Sequence, residues 1–209
     1  MDKYIKEKEK DKERDRDRER AEREKDKDFN PTKHWKSVRV KWTTDADASW
    51  PNVNNELQAI SMLGKGSFAT VYEAYDRRLK LNVAVKVYEK KDLSMPERRI
   101  FIQNEIDIMA NIGHPAIVKF YRLLEDSKAI YIVQEIGGNM SLSEFVRHGK
   151  DKKLEEADAR QLFKELVSST TYLHSLKICH RDLKLTNILI NGKGRLKLID
   201  FGFSTISNR

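Results

Sequence analysis

Residues 1–28 are almost all charged, so a folded domain can form only from the residues that follow. They include 12 lysines and arginines and 12 aspartates and glutamates. A segment without an apolar stripe has nothing to pack against a core, so we expect a disordered mixed-charge arm. An RNA-binding arm is the alternative, but its local neutrality argues against it, because phosphate binding depends on uncompensated positive charge.

Composition after the arm is that of an ordinary globular protein. About 180 of the 209 residues remain, enough for a sizeable core. No apolar run approaches the roughly 20 residues of a membrane span, and the charged start gives no secretory signal. The single cysteine, Cys179, excludes an intrachain disulfide framework and a cysteine-based zinc site. We therefore predict an intracellular protein, cytoplasmic or nuclear, without membrane contact.

Residues 29–55 are predicted to form a linker rich in tryptophan. Trp35, Trp42 and Trp50 lie close together in the sequence, and the partial alternation in HWKSVRVKW predicts a short strand. The simplest interpretation is that the tryptophans pack on the neighbouring domain. A segment that docks on a partner is the alternative.

From Glu56 the pattern becomes regular and predicts an α+β fold of two lobes. Five β-branched and aromatic runs predict a five-stranded sheet in residues 56–135, with one helix inserted at Pro96–Ile112. Residues 136–209 are predicted to form part of a mostly helical second lobe, with a long helix at Glu155–Leu176.

Two motifs in the predicted sheet suggest phosphate binding. In LGKGSFATV, Gly64 and Gly66 let the backbone turn tightly and approach phosphates. VAVK ends at Lys86, whose ammonium can point towards phosphates under such a loop. Glu105 follows in the middle of the inserted helix and is its natural carboxylate partner. Taken alone, a glycine hairpin and a strand lysine are common structural features.

Two further motifs follow the long predicted helix. HRDLKLTN, residues 180–187, places a base, a cation and a metal-binding amide in one loop through Asp182, Lys184 and Asn187. IDFG places Asp200 after this loop, beyond a predicted hairpin whose turn is marked by Asn-Gly and Lys-Gly.

These four motifs, in this order and at these intervals, resemble those of eukaryotic protein kinases over about Glu56–Arg209. Lys184 after His-Arg-Asp-Leu is typical of the serine/threonine branch. Ala69 replaces the third loop glycine, as in Polo-like kinases, whereas EDSKAIYIVQE and LKLIDFGFS resemble the calmodulin-dependent and SNF1-like group. The sequence does not choose between these subfamilies.

The resemblance implies an enzyme that transfers the γ-phosphoryl group of ATP to serine or threonine hydroxyls of proteins, with Mg²⁺ as cofactor. Asp182 would accept the hydroxyl proton and Lys184 would neutralise charge on the phosphoryl group. Asn187 and Asp200 would bind two magnesium ions. The implied ATP-binding positions are Leu63, Gly64, Lys65, Gly66, Ser67, Phe68, Ala69, Val71, Ala84, Lys86, Glu105, Glu135, Gly137 and Leu189.

The same resemblance assigns several apolar and hinge positions. Val71 and Ala84 would cover adenine from above and Leu189 from below, with residues 135–137 as the hinge and Gln134 as the gatekeeper. The implied regulatory spine consists of Met109, Phe120, His180 and Phe201.

The sequence ends at Arg209, seven residues after Gly202. A kinase lobe continues well beyond this point, so we expect the 209-residue chain alone to be inactive towards protein substrates. A non-catalytic nucleotide-binding module is one alternative function. An RNA- or scaffold-associated protein that works through its charged arm is another.

Overall fold

The computed structural model describes Val38, Val40 and residues 53–207, which all belong to one unit that spans residues 36–209. The predicted arm and most of the linker, with Trp35, Trp42 and Trp50, lie outside these described residues. The interpretations of those segments and the domain boundaries drawn from the sequence therefore stay predictions.

A five-stranded antiparallel sheet forms the first half of the described chain, as predicted. Its elements are α1 (Val53–Glu56), β1 (Leu57–Lys65), β2 (Thr70–Asp76), β3 (Leu81–Glu89), a 3₁₀ turn (Lys90–Asp92), β4 (Phe120–Glu125) and β5 (Ala129–Gln134). The strand order is β1-β2-β3-β5-β4, which places β3 in the middle. Val83, Ala84 and Val85 in β3 are all buried, and their run is accordingly apolar without interruption.

One helix, α2 (Pro96–Met109), is inserted between β3 and β4 and ends three residues before the predicted Ile112. Its proline lies in the first turn, where the missing N–H costs no hydrogen bond. Beyond the helix, the Asn111 side chain donates to the Asp107 carbonyl. The Asp107 carbonyl thus has a donor without a helical N–H from a further turn, which explains why the helix ends before Ile112. The predicted apolar positions are buried: Ile102, Ile106, Ile108 and Met109.

The second half contains two helices and several short strands. These are β6 (Met140–Ser141), α3 (Leu142–His148), α4 (Glu156–Ser175), β7 (Ile178–Cys179), β8 (Ile188–Ile190), β9 (Leu196–Leu198), β10 (Thr205–Ile206) and 3₁₀ turns at Lys150–Lys152 and Leu185–Asn187. Helix α4 agrees with the predicted long helix to within one residue at each end. Leu162 and Leu173 are buried, whereas Phe163 is 65% exposed, so the predicted apolar side is only partly covered by the described residues.

The hairpin β8–β9 connects the two motifs of the second half, and α4 holds it. Asn191 accepts hydrogen bonds from the backbone of Lys193 and Arg195 and so fixes the turn that the sequence predicts. Glu165 of α4 accepts from the Leu196 N–H at 2.8 Å and from Arg195 Nε at 2.5 Å. One carboxylate therefore fixes the strand that leads to Asp200.

Within the described part of the chain, no helix is both long enough and apolar enough to span a lipid bilayer.

The segment that follows β5 leaves no room for a side chain at Gly138, and this gives a first prediction. A Cβ atom there would lie 2.2 Å from the Ile190 carbonyl oxygen. Backbone cannot yield as a flexible side chain can, so we expect Gly138→Ala to lower the free energy of unfolding by about 2 kcal/mol. The control is Gly192→Ala, which meets no atom within 4 Å. Urea denaturation measures both, and equal stability of the two variants would contradict the prediction.

Candidate active site

Lys86 is the centre of the candidate site, because its ammonium contacts one carboxylate from the inserted helix and one from the IDFG motif. Lys86 Nζ lies 2.7 Å from Glu105 Oε1 and 2.8 Å from Asp200 Oδ1. Glu105 is only 1% exposed and the Lys86 side chain 13%. Strand β3, helix α2 and the segment after β9 therefore meet at one cation. The predicted pairing of Lys86 with Glu105 is present in the structure, and the chemical roles of both residues stay predictions.

Mutual attraction keeps this cluster charged. Burial lowers the pKa of Lys86, but the negative charges of Glu105 and Asp200 outweigh it and raise the pKa well above its ordinary value. Burial raises the pKa of Asp200, but the charge and hydrogen bond of Lys86 outweigh it and lower the pKa. At neutral pH the site therefore presents an ammonium beside an ionised carboxylate.

The loop of residues 180–187 brings the other predicted polar residues together. Asn187 Nδ2 donates to the Asp182 carbonyl at 2.9 Å and to Asp182 Oδ2 at 2.8 Å. Lys184 Nζ also donates to Asp182 Oδ2, at 2.8 Å. The Asp182 carboxylate is thus oriented by an amide and a cation from its own loop, and the Asn187 amide oxygen is the end that a cation can use.

Two buried rings support this loop from behind. The rings of His180 and Phe201 meet edge to face, with 4.9 Å between centroids, and His180 Nε2 lies 3.1 Å from the Ile199 carbonyl oxygen. Burial lowers the pKa of His180, so the ring is neutral at pH 7. Asp200 itself has φ of 63°, a left-handed conformation that costs a non-glycine residue energy. Of the predicted spine, the His180–Phe201 contact is the part that the structure shows directly.

The predicted glycine loop is an exposed turn between β1 and β2. The Gly66 N–H donates to the Ala69 carbonyl at 2.8 Å and closes the turn. Cross-strand pairing places Val71 opposite Lys86, so the loop leads directly into the Lys86 neighbourhood. Most of the loop faces solvent: Leu63, Lys65, Gly66, Ser67 and Phe68 are exposed, and Gly64 and Ala69 are intermediate.

The predicted hinge is fixed by contacts of its first residue. Glu135 Oε2 accepts from Lys197 Nζ at 2.8 Å and from the Lys119 N–H at 3.1 Å. One oxygen of this carboxylate is therefore held by two donors, which ties the hinge to β9 and to the segment before β4. Gly137 is closely surrounded, since a Cβ atom would lie 2.9 Å from Val118 and 3.1 Å from Leu189. Of the remaining adenine positions, Ala84 pairs with Gln134 across β3 and β5.

Two side chains make hydrogen bonds that the motifs do not predict, one within the site and one on helix α2. Tyr88 donates its hydroxyl to Glu105 Oε2 at 2.5 Å. Gln103 of α2 binds the backbone before the sheet: Val40 N–H donates to Oε1 at 3.1 Å, and Nε2 donates to the Val38 carbonyl at 2.7 Å. Tyr88 lies two residues after Lys86 in a strand, and that spacing puts both on one face of the sheet. The alternation therefore held a signal for Tyr88, whereas no local pattern marks Gln103.

A sequence model of the protein kinase domain matches residues 57–209 of the chain. The chain belongs to the protein kinase family. The predicted two-lobed α+β kinase fold is thereby confirmed, with its five-stranded sheet and the inserted helix α2.

The curated relatives that the chain matches are serine/threonine kinases. It is 44% identical to testis-specific serine/threonine-protein kinase 2 of Mus musculus over 144 residues, or 68% of this chain and 39% of that protein. It is 35% identical to serine/threonine-protein kinase PLK4 of Xenopus tropicalis over 150 residues, or 72% and 16%. It is 34% identical to NUAK family SNF1-like kinase 2 of Rattus norvegicus over 158 residues, or 76% and 25%. The chain thus spans well under half the length of these relatives, and the choice of subfamily stays open.

Proposed function

We propose that the protein is an ATP- and magnesium-dependent serine/threonine kinase that phosphorylates hydroxyl groups of protein substrates. The observation that carries the proposal is the contact of the Lys86 ammonium with both Glu105 and Asp200. Protein kinases generally use ATP and Mg²⁺ and hold them with a lysine, its glutamate partner and a metal-binding aspartate. Family membership supports the same function.

The donor chemistry of the site fits both groups. Asp200 and Asn187 offer carboxylate and amide oxygens, which hard cations prefer, and Mg²⁺ commonly completes its shell with phosphates and water. Within the described residues, no three histidine, cysteine, aspartate or glutamate side chains converge as a metal site. The assignment therefore needs phosphate oxygens beside the two protein ligands.

The residues of the chain contribute positioning of the reactants and stabilisation of charge. Magnesium ATP, when bound, supplies the phosphoryl group and a divalent charge next to it. Lys86 holds phosphate oxygens, and Glu105 keeps that ammonium in place. Asp182 accepts the proton of the attacking hydroxyl, and Lys184, already in contact with Asp182, adds a cation beside the transferring group.

The proposal extends to partners and location. We take the substrates to be proteins that present serine or threonine, and we keep the intracellular location, cytoplasmic or nuclear, as part of the proposal. Its support is the chain's single cysteine, which is typical of a reducing compartment. Neither a membrane nor a nucleic acid is among the proposed partners.

The test measures binding and transfer separately. A fluorescent ATP analogue is titrated into the 209-residue chain with Mg²⁺ or with EDTA, and affinity should be at least about tenfold higher with Mg²⁺. Transfer of radiolabelled γ-phosphate to a basic serine peptide is then measured for this chain and for a form extended beyond Arg209, with a tyrosine peptide as control. We expect the extended form to phosphorylate serine and not tyrosine.

Each result distinguishes among the candidate functions. Binding that ignores Mg²⁺ would contradict the metal assignment. Intact binding without transfer by either form would favour the non-catalytic nucleotide-binding module. Salt-sensitive RNA retention by a chain that binds no nucleotide would favour the interaction protein instead.

A further inference from the structure

Both oxygens of the buried Glu105 carboxylate have a donor, and only one of these donors belongs to a kinase motif. Oε1 accepts from Lys86 Nζ at 2.7 Å, and Oε2 accepts from the Tyr88 hydroxyl at 2.5 Å. Tyr88 is 4% exposed and Glu105 1%. In such a place water cannot substitute for a missing donor, so the phenol decides where the second oxygen lies.

The position of Tyr88 in β3 points its side chain towards Glu105 from the same side as Lys86. Lys86 and Tyr88 are two residues apart in one strand, so both side chains leave the same face of the sheet. The Lys86 ammonium lies 5.4 Å from the centroid of the Tyr88 ring. Strand β3 therefore presents Glu105 with two donors side by side.

The phenol ring has little freedom to move away. It belongs to a buried apolar cluster with residues of helix α2, the loop before that helix, strand β5 and the segment before the sheet: Val40, Leu93, Ile102, Ile106, Ile130 and Ile132. Packing of this density holds a side chain in one rotamer. Burial also raises the pKa of the Tyr88 phenol, and the Glu105 charge raises it further, so the hydroxyl keeps its proton.

We propose that Tyr88 is a positioning residue of this kinase site, whose hydroxyl holds Glu105 towards Lys86 before nucleotide binds. A carboxylate held at one oxygen has few orientations left for the other, so Lys86 meets its partner already in place. Without the hydroxyl, Glu105 Oε2 has no donor in a buried place. Rotation of the carboxylate away from Lys86, together with helix α2, then becomes favourable. The inference rests on the proposed function, because Tyr88 would serve to position Lys86 for binding phosphates.

The test replaces the hydroxyl alone. Tyr88→Phe keeps the ring and its packing, and we expect it to weaken Mg²⁺-ATP affinity about tenfold, since a hydrogen bond to a charged group is lost. Hydrogen exchange of helix α2, measured without nucleotide, should become at least about fivefold faster. The matched control is Tyr131→Phe on the neighbouring strand, which removes a 2.7 Å hydrogen bond to Asp126. It should leave both measurements unchanged.

A second background separates positioning from general support of the fold. If Tyr88 acts through Glu105, then Tyr88→Phe should change affinity less than about twofold in a Glu105→Ala chain. An equal loss in both backgrounds would overturn the proposal, as would affinity and exchange of Tyr88→Phe within twofold of the wild type. A Tyr88→Phe chain that fails to fold would assign the hydroxyl to folding and overturn it as well.

Failure of the proposed function gives a different result. A wild-type chain that binds no nucleotide would contradict the kinase assignment. The exchange measurement would still report whether Tyr88 holds α2, because it uses no ligand. The two failures are therefore distinguishable in one set of samples.

Discussion

Replacing Asp200 with asparagine is expected to abolish the magnesium dependence of ATP binding and to lower phosphoryl transfer about a thousandfold. The change removes the only carboxylate assigned to the metal and keeps the side-chain size. Lys86 retains its contact with Glu105 in this variant, so the fold should remain intact. Binding of a fluorescent ATP analogue with and without Mg²⁺, and transfer rates in a form that phosphorylates serine, provide the measurements.

The pKa of Asp200 determines how its effect on stability depends on pH. The pKa of Asp200 is lowered in the folded chain, so its contribution to stability is present above the ordinary pKa of 3.8. That contribution is lost only as the pH falls through the lower, folded value. The difference in the free energy of unfolding between the wild type and Asp200→Asn should therefore be constant from about pH 6 to 8. The control is Asp151→Asn, an exposed aspartate paired loosely with Lys153 at 4.0 Å. Magnesium dependence that survives in Asp200→Asn would contradict the assignment.

The parts of the site that could be predicted are those that a fixed spacing defines. Lys86 at the end of an alternating run and Glu105 further along the chain lie on a strand and the following helix, and these elements pack together in the structure. Asp182, Lys184 and Asn187 share one short loop, so their proximity follows from the sequence alone. Local geometry and known intervals were sufficient in both cases.

The parts that could not be predicted depend on contacts between distant segments. Gln103 binds the backbone of Val38 and Val40 through a side-chain amide, although these residues are far away in the sequence. Glu165 holds the β8–β9 hairpin from the middle of a helix. Each is one polar residue on an otherwise ordinary face, and periodicity assigns such residues to solvent. Only the packed structure shows that they are partly or wholly buried and bonded.

Replacing Lys86 with methionine is expected to lower phosphoryl transfer at least about a thousandfold and to weaken the fold as well. Methionine fills similar space but offers no charge to phosphates. It also leaves Glu105, at 1% exposure, with the Tyr88 hydroxyl as the remaining donor described above. Removal of one partner from a buried ion pair is costly, so the free energy of unfolding should fall by about 3 kcal/mol.

A second variant separates the two effects of the Lys86 change. In the double variant Lys86→Met with Glu105→Gln, the uncompensated charge is gone, so most of the lost stability should return while transfer stays absent. The matched control is Lys91→Met, an exposed lysine that pairs with Glu89 just beyond the same strand. It should match the wild type in transfer and in urea denaturation.

The pH dependence of the Lys86 effect follows from the raised pKa of its ammonium. A raised folded pKa gives stability that is fully present below the ordinary value of 10.5 and is lost only as the pH rises through the folded value. The contribution of the Lys86 ammonium to the stability of the wild type should thus be constant from about pH 6 to 9. Turnover close to the wild type in Lys86→Met would show that the ammonium does not hold the phosphates. A single variant as stable as the double variant would show instead that Glu105 finds another cation, and the buried pair would then be dispensable for the fold.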